Sequence, residues 1–250
     1  WADYNSDGYL DLFVSDFMPT RVNLLYKNLG NGTFQLVTSG DIVSVSGHSI
    51  GSSWADVDGD GDPDLFVPNA GETNYFFRNN NGELELEVSS LLSQSTDYST
   101  GGSWGDYDND SDLDLFVANA SNVSNQLFIN DGLGDFINSS TIIADEKGNT
   151  HGSTWTDFDN DGDLDLFSTN DGFEANQFYT NNGNGTFSVS ENDLNKSLNN
   201  SFATAVSDIE NDGDLDLFIV NHSGGDNVLF INTKGSCQQS FCMKLVGISS

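Results

Sequence analysis

The sequence predicts an all-β protein, a β-propeller of four-stranded antiparallel blades, and three observations predict it. One motif recurs five times along the 250 residues. Around it, short aromatic and β-branched runs alternate with turns rich in Gly and Asn. No segment of useful length carries helical periodicity.

The motif opens as Trp1-Ala-Asp-Tyr-Asn-Ser-Asp-Gly-Tyr-Leu-Asp-Leu-Phe-Val and returns at Trp54, Trp104 and Trp155. A fifth copy, Val206-Ser-Asp-Ile-Glu-Asn-Asp-Gly-Asp-Leu-Asp-Leu-Phe-Ile, has Val in the Trp position, so all four Trp of the chain share one repeat position. An Asn pair follows each copy: Asn23 and Asn28, Asn74 and Asn79, Asn125 and Asn130, Asn176 and Asn181, Asn227 and Asn232, with a constant step of 51. Between the pairs lie runs such as Tyr75-Phe76-Phe77 and Leu229-Phe230. Turns such as Gly30-Asn31-Gly32 and Gly183-Asn184-Gly185 follow, before new apolar runs near Phe34, Leu84, Phe136 and Phe187. Each unit therefore reads as a strand ending at Trp, an acidic loop, the strand Leu-Asp-Leu-Phe-Val and a hairpin. Four strands in a tandem unit of about 40–50 residues match a propeller blade. A lone small sheet cannot bury both faces, whereas a neighbouring repeat can cover them. A linear β-solenoid is the competing architecture, with coils nearer about 20 residues. The expected single domain spans 1–250, with repeat cores near 1–47, 48–97, 98–148, 149–199 and 200–247.

Within each loop the acidic residues alternate. Carboxylates at positions 1, 3, 5 and 9, with a carbonyl at position 7, converge when the backbone wraps around a point. Oxygen-only donors in a flexible loop suit Ca²⁺, which takes about 6–8 oxygens. Gly8, Gly61, Gly162 and Gly213 at position 6 supply the sharp turn. The expected side-chain ligands are Asp3, Asn5, Asp7 and Asp11; Asp56, Asp58, Asp60 and Asp64; Asp106, Asp108, Asp110 and Asp114; Asp157, Asp159, Asp161 and Asp165; and Asp208, Glu210, Asp212 and Asp216. Tyr9, Asp62, Asp112, Asp163 and Asp214 would offer the position-7 carbonyls. Up to five Ca²⁺ are expected, one per repeat. Solvated acidic turns are the plainer reading, but clustered carboxylates repel one another unless a cation lies among them. Mg²⁺ prefers a tight octahedron with retained waters, and Zn²⁺ wants His or Cys, which these loops lack. An EF-hand is excluded, because its position-12 Glu is here Val14, Val67, Val117, Ser168 or Ile219. Asn5 is expected to weaken loop one, Ser111 to strain loop three, and Glu210 to fit loop five less well.

These residues resemble the FG-GAP and VCBS repeat superfamily, the calcium-binding blades of integrin α-chain propellers and many bacterial secreted proteins. The form Trp-x-Asp-x-Asp-x-Asp-Gly-Asp-Leu-Asp-Leu-Phe-Val with Asn-x-Leu-Tyr-x-Asn looks most like the cartilage acidic protein and ASPIC/UnbV group. Residues 241–250 look like the start of an ASPIC/UnbV-like module. Seven blades are common in this superfamily, so the resemblance implies a fragment of a larger propeller. A complete five-bladed ring closed by the C-terminal strand is the alternative. The resemblance further implies a secreted, extracellular or cell-surface interaction or adhesion module that binds a protein or glycan ligand through its face loops.

Composition narrows the partners. The chain has 39 Asp and Glu against 7 Lys and Arg, a formal charge of −32. Nucleic acid is excluded, since its binding rests on basic side chains. No apolar run is long enough for a membrane span, so no membrane insertion is expected. Of the acidic residues, 23 lie inside the five loops, which contain no Lys or Arg. No enzymatic activity is expected. A lectin is one alternative and a calcium-dependent polysaccharide lyase another, although the basic residues a uronate lyase needs are scattered. His48, His151 and His222 read as too dispersed for a catalytic set, with His48 and His151 as strand residues. The Trp side chains are expected to pack between blades. Cys237 and Cys242 flank a short turn and suit a hairpin disulfide in an exported protein, with two free thiols as the alternative. Asn31-Gly-Thr and Asn122-Val-Ser are glycosylation sequons that matter only in a secretory pathway; at Asn31 the turn itself demands Asn-Gly.

Overall fold

The computed structural model describes residues 1–145, 147–189, 199–233 and 243–247. Cys237 and Cys242, and the disulfide expected of them, lie outside the described residues. The chain forms two compact units. The first comprises Trp1–Trp104, Ser111–Val117 and Leu127–Ser139; the second comprises Gly105–Asp110, Ala118–Gln126 and Ser140–Ser250.

In the first unit, β1 (Leu12–Val14), β2 (Leu24–Asn28) and β3 (Phe34–Leu36) form a three-stranded antiparallel sheet. The strand expected before the first loop is reduced to one bridge, Ala2 to Asp11. The second repeat is complete: β4 (Ser53–Ala55), β5 (Asp64–Val67), β6 (Tyr75–Asn80) and β7 (Glu83–Leu86) pair in sequence order. The third repeat supplies β8 (Ser99–Gly105), β9 (Asp114–Asn119), the short β10 (Val123–Ser124), β11 (Gln126–Asn130) and β12 (Phe136–Asn138). Four of these make a sheet in the order β12-β11-β9-β8.

In the second unit β10 pairs with β13 (Lys147–Gly148). Next come β14 (Thr150–Thr156), β15 (Asp165–Asn170), β16 (Gln177–Asn181) and β17 (Phe187–Val189), a four-stranded sheet in sequence order. The last sheet is β18 (Ser201–Ser207), β19 (Asp216–Asn221), β20 (Val228–Asn232) and β21 (Met243–Gly247). The registered strand pairs among the described residues are antiparallel. The motif register repeats: Trp54 faces Leu65, Trp155 faces Leu166, and Val206 faces Leu217. These are four-stranded propeller blades.

Strands β5, β9 and β15 are buried at every position, which is why Leu-Phe-Val reads as a continuous apolar run in β5 and β9; β1 and β19 leave Val14 and Val220 exposed. In β5, Leu65 and Val67 pack with Tyr4, Phe13 and Leu25 of the preceding repeat. Phe66 points the other way, into a cluster with Leu115, Val117 and Phe128 of the following repeat. Alternation along a strand thus sends successive side chains into two different cores. In the second unit Phe158, Phe167 and Phe178 pack with Leu217, Ile219 and Phe230 in the same manner.

The Trp residues divide. Trp54 meets Phe13 of the preceding repeat edge to face at 6.3 Å, and Trp155 stacks on Tyr107 at 6.1 Å. Trp104 leans on Phe136 of its own sheet and packs against the cluster to which Ala55, Val57 and Phe66 of the preceding repeat belong. Trp1 is 64% exposed beside Phe34, so it is not buried between blades. His151 lies in β14, as expected. His48 is not in a strand; it lies just before an isolated Ser49–Asn69 bridge and contacts Glu72.

Candidate functional site

Each acidic loop is wound by two left-handed residues. Position 4 is Ser6, Gly59, Asn109, Asn160 or Asn211, with φ between 54° and 71°. Position 6 is Gly8, Gly61, Ser111, Gly162 or Gly213, with φ between 79° and 99°. Gly is favoured there because a Cβ is strained in that region. Ser111, the exception seen in the sequence, adopts it at φ 79°.

The turn aims backbone N–H groups at the position-1 carboxylate. Asp3 accepts from Asp7 and Gly8, Asp157 from Asp161 and Gly162, and Asp208 from Asp212 and Gly213. Asp56 accepts from Gly61 at 2.9 Å. The position-5 carboxylates of Asp7, Asp60, Asp161 and Asp212 accept the N–H of position 7.

Loops two and four gather their carboxylates. Oxygens of Asp56, Asp58 and Asp64 all lie within 4.8 Å of one another, as do those of Asp157, Asp159 and Asp165. Asp60 and Asp161, the remaining expected side chains of these loops, are not in the converging groups and are held by the N–H of position 7. Loop three is divided, with Asp106, Asp108 and Asp110 in the second unit and Asp112 and Asp114 in the first. Among the described residues, loops one and five show no comparable gathering. Asp7 and Asn5 of loop one instead meet Lys27. Asp216 of loop five accepts the N–H groups of Ile209 and Asn232, as Asp64 and Asp165 accept the corresponding pairs in loops two and four.

The gathered groups fit a hard cation. Among the described residues, Asp56 Oδ1 and Asp159 Oδ1 are buried without a hydrogen-bond partner. A buried, unpaired carboxylate oxygen is costly and calls for a positive partner. Burial pushes the Asp64 carboxyl up to about 6 and that of Asp165 up to about 7, against the backbone hydrogen bonds that favour the charged form. Asp159 is also raised, by burial and then by Asp161. All-oxygen donors suit Ca²⁺; Asp56, Asp58, Asp60 and Asp64, or Asp157, Asp159, Asp161 and Asp165, would hold it by side chains.

At position 7 the side chains of Asp62, Asp163 and Asp214 bond to the preceding loop. Asp62 accepts from Ser6 Oγ at 3.2 Å, Asp163 from Asn109 Nδ2 at 2.6 Å and Asp214 from Asn160 Nδ2 at 2.8 Å. Each bond ties a loop to the one before it.

The second Asn of each pair supports the loops, a role that the sequence reading did not assign. The backbone N–H groups of Asn28, Asn79, Asn130, Asn181 and Asn232 donate to Asp11, Asp64, Asp114, Asp165 and Asp216 at 2.7–2.9 Å. The side-chain amides of Asn79, Asn130, Asn181 and Asn232 reach back to the carbonyls of Tyr4, Val57, Tyr107 and Phe158 in the preceding repeat's loop. Their invariant step of 51 was the available signal. At the other end of each sheet, the first Asn joins repeats through a hydroxyl: Asn74 to Ser99, Asn125 to Thr150 and Asn176 to Ser201.

The histidines are not all scattered. His151 Nε2 and His222 Nε2 lie 3.8 and 3.1 Å from the two oxygens of Asp171, and Phe202 packs against both rings. Asp171 and His222 hold the same repeat position, one past Asn170 and Asn221, a signal the spacing of the histidines alone did not reveal.

The acidic motif has counterparts in known proteins. A model described as FG-GAP-like repeat matches residues 3–67, 56–117, 106–168 and 157–219. No curated protein sequence matches the chain. Among solved structures, one similar chain is an Agrocybe aegerita lectin that recognises non-reducing terminal N-acetylglucosamine. It has 17% identity and a TM-score of 0.57, with 89% of this chain and 62% of the lectin covered. This chain therefore spans less than two thirds of the length of that lectin. Another is the pore of a Photorhabdus luminescens Tc holotoxin, with 14% identity, a TM-score of 0.39, and 99% of this chain but 12% of that one covered. By its four matching repeats, the chain belongs to the FG-GAP-like repeat family.

Proposed function

We propose that this chain is a calcium-binding propeller module of an extracellular or cell-surface protein, which binds a protein or glycan ligand without catalysing a reaction. Ca²⁺ would stiffen the Asp-rich loops and so hold neighbouring repeats together. The observation that carries this reading is the pair of buried, unpartnered oxygens of Asp56 and Asp159, each within a group of three converging carboxylates. Calcium at extracellular millimolar levels keeps even weak loop sites filled. The resemblance to the cartilage acidic protein and ASPIC/UnbV group supports an exported setting.

A glycan is the second reading for the ligand, and the fold shared with the lectin favours it. The lyase alternative gains no support, because Lys27 and Arg78, two of the seven basic residues, are committed to loop carboxylates. Calorimetric titration of EDTA-treated protein with Ca²⁺ tests the metal. Heat of binding with a raised melting temperature is expected; no uptake and an unchanged melt would refute it. Glycan-array binding beside a uronate-polymer cleavage assay separates lectin, lyase and protein-binding module.

A further inference from the structure

The five loops are not equivalent, and one position of the repeat sets the first two apart from the rest. The residue before the second Asn is Lys27, Arg78, Ile129, Thr180 and Ile231 in repeats one to five. Two of the seven basic side chains of a strongly acidic protein therefore share one place, on the strand that flanks the acidic loop. Lys27 Nζ lies 3.1 Å from Asp7 Oδ2 and donates to Asn5 Oδ1 at 3.2 Å. Arg78 Nη1 lies 2.7 Å from Asp58 Oδ2, while its Nε meets Glu87 at 3.0 Å and its Nη2 donates to the Gly134 carbonyl at 2.9 Å.

In loop one every expected side-chain ligand oxygen already has a partner. Asp3 accepts the N–H groups of Asp7 and Gly8. Asp7 holds the Tyr9 N–H on one oxygen and Lys27 on the other. Asp11 accepts the Asn28 N–H at 2.7 Å on one oxygen and the Asn5 amide at 2.7 Å on the other. The Asn5 oxygen is taken by Lys27. An amide that turns its hydrogens inward and an ammonium beside it both disfavour a metal cation, whose shell must be oxygen. Loop four offers the contrast. Its strand position is Thr180, and Asp159 Oδ1 is left buried and unpartnered among the described residues.

Resting on the calcium reading above, we infer that loop one is a self-neutralised loop, in which the Lys27 ammonium and the Asn5 amide stand where the other loops take Ca²⁺. Loop one then gives its repeat a metal-independent clasp, and the calcium content of the chain is lower than its number of loops. Arg78 makes loop two intermediate: the guanidinium holds Asp58 from one side while Asp56 and Asp64 remain grouped with it.

The test counts bound Ca²⁺ on the 250-residue chain by calorimetry and native mass spectrometry. Asp3→Asn is expected to leave the wild-type count unchanged, whereas Asp159→Asn lowers it by one. The double variant Asn5→Asp with Lys27→Met, purified in Ca²⁺, is expected to gain one ion. A count that drops by one in Asp3→Asn overturns the inference, as does a folded double variant that gains nothing. If the double variant does not fold, the Asp3→Asn arm decides alone. Should no variant and not even the wild type take up Ca²⁺, the calcium reading itself fails. The clasp is then judged in EDTA, where Lys27→Met is expected to lower the melting temperature and the exposed Arg21→Met is not. Equal melts for those two would end the proposal.

Discussion

The Asn181 side-chain amide donates to the Tyr107 carbonyl at 2.7 Å, across 74 residues of sequence, and so couples one repeat's hairpin to the acidic loop of the repeat before it. The same Asn gives its backbone N–H to Asp165, a carboxylate of its own loop, at 2.9 Å. One buried residue thus supports two adjacent loops.

Asn181→Ala should therefore cost more than an exposed Asn substitution. It leaves the buried Tyr107 carbonyl without its amide, a loss of about 1–3 kcal/mol. Thermal melts of Asn181→Ala beside the exposed Asn184→Ala check this, and equal melts would refute the bridging role.

Gly102 marks a place where two repeats approach too closely for any side chain. A Cβ there would lie 2.7 Å from the ring of Phe66, which is fully buried. Gly102→Ala is expected to destabilise by about 1–3 kcal/mol through overpacking. Denaturant unfolding measures it, and Gly102→Ala combined with Phe66→Leu should recover part of the loss.

Ser111 holds a left-handed conformation where three of the five loops have a Gly with φ above 90°. Ser111→Gly removes the Cβ strain but adds backbone freedom to the unfolded chain, for a net gain of about 0.5 kcal/mol. The melt should rise slightly; a fall would mean that the hydroxyl contributes more than the strain costs.

His151 gives the second unit an acid-sensitive point. Burial holds its imidazole below the usual range; Asp171 opposes that shift and His222 adds to it. A lowered folded-state pKa favours the neutral ring, so the stabilisation is present above about pH 6.5 and is lost as pH falls through the folded value. In EDTA, lowering the pH below about 6.5 should cost the wild type more melting temperature than it costs His151→Gln. Identical pH profiles would remove His151 as the cause.

Much of this protein was legible in its residues. The strict step of 51 and the continuous apolar runs determined the strands, because a strand covered on both faces must offer apolar side chains to both. The alternating carboxylates and the Gly at position 6 determined the loops, because both are properties of a few consecutive residues. What the linear order could not disclose was which loop oxygens remain free. Lys27 and Asn5 are 22 residues apart, and only the pairing of β1 with β2 brings that ammonium into the first loop. Likewise the buried Asn amides reach carbonyls about 74 residues away, and the His151–Asp171–His222 contact joins three separate segments. Local spacing encodes local geometry; the partners of a side chain that crosses between repeats depend on how sheets stack, which the tertiary structure alone decides.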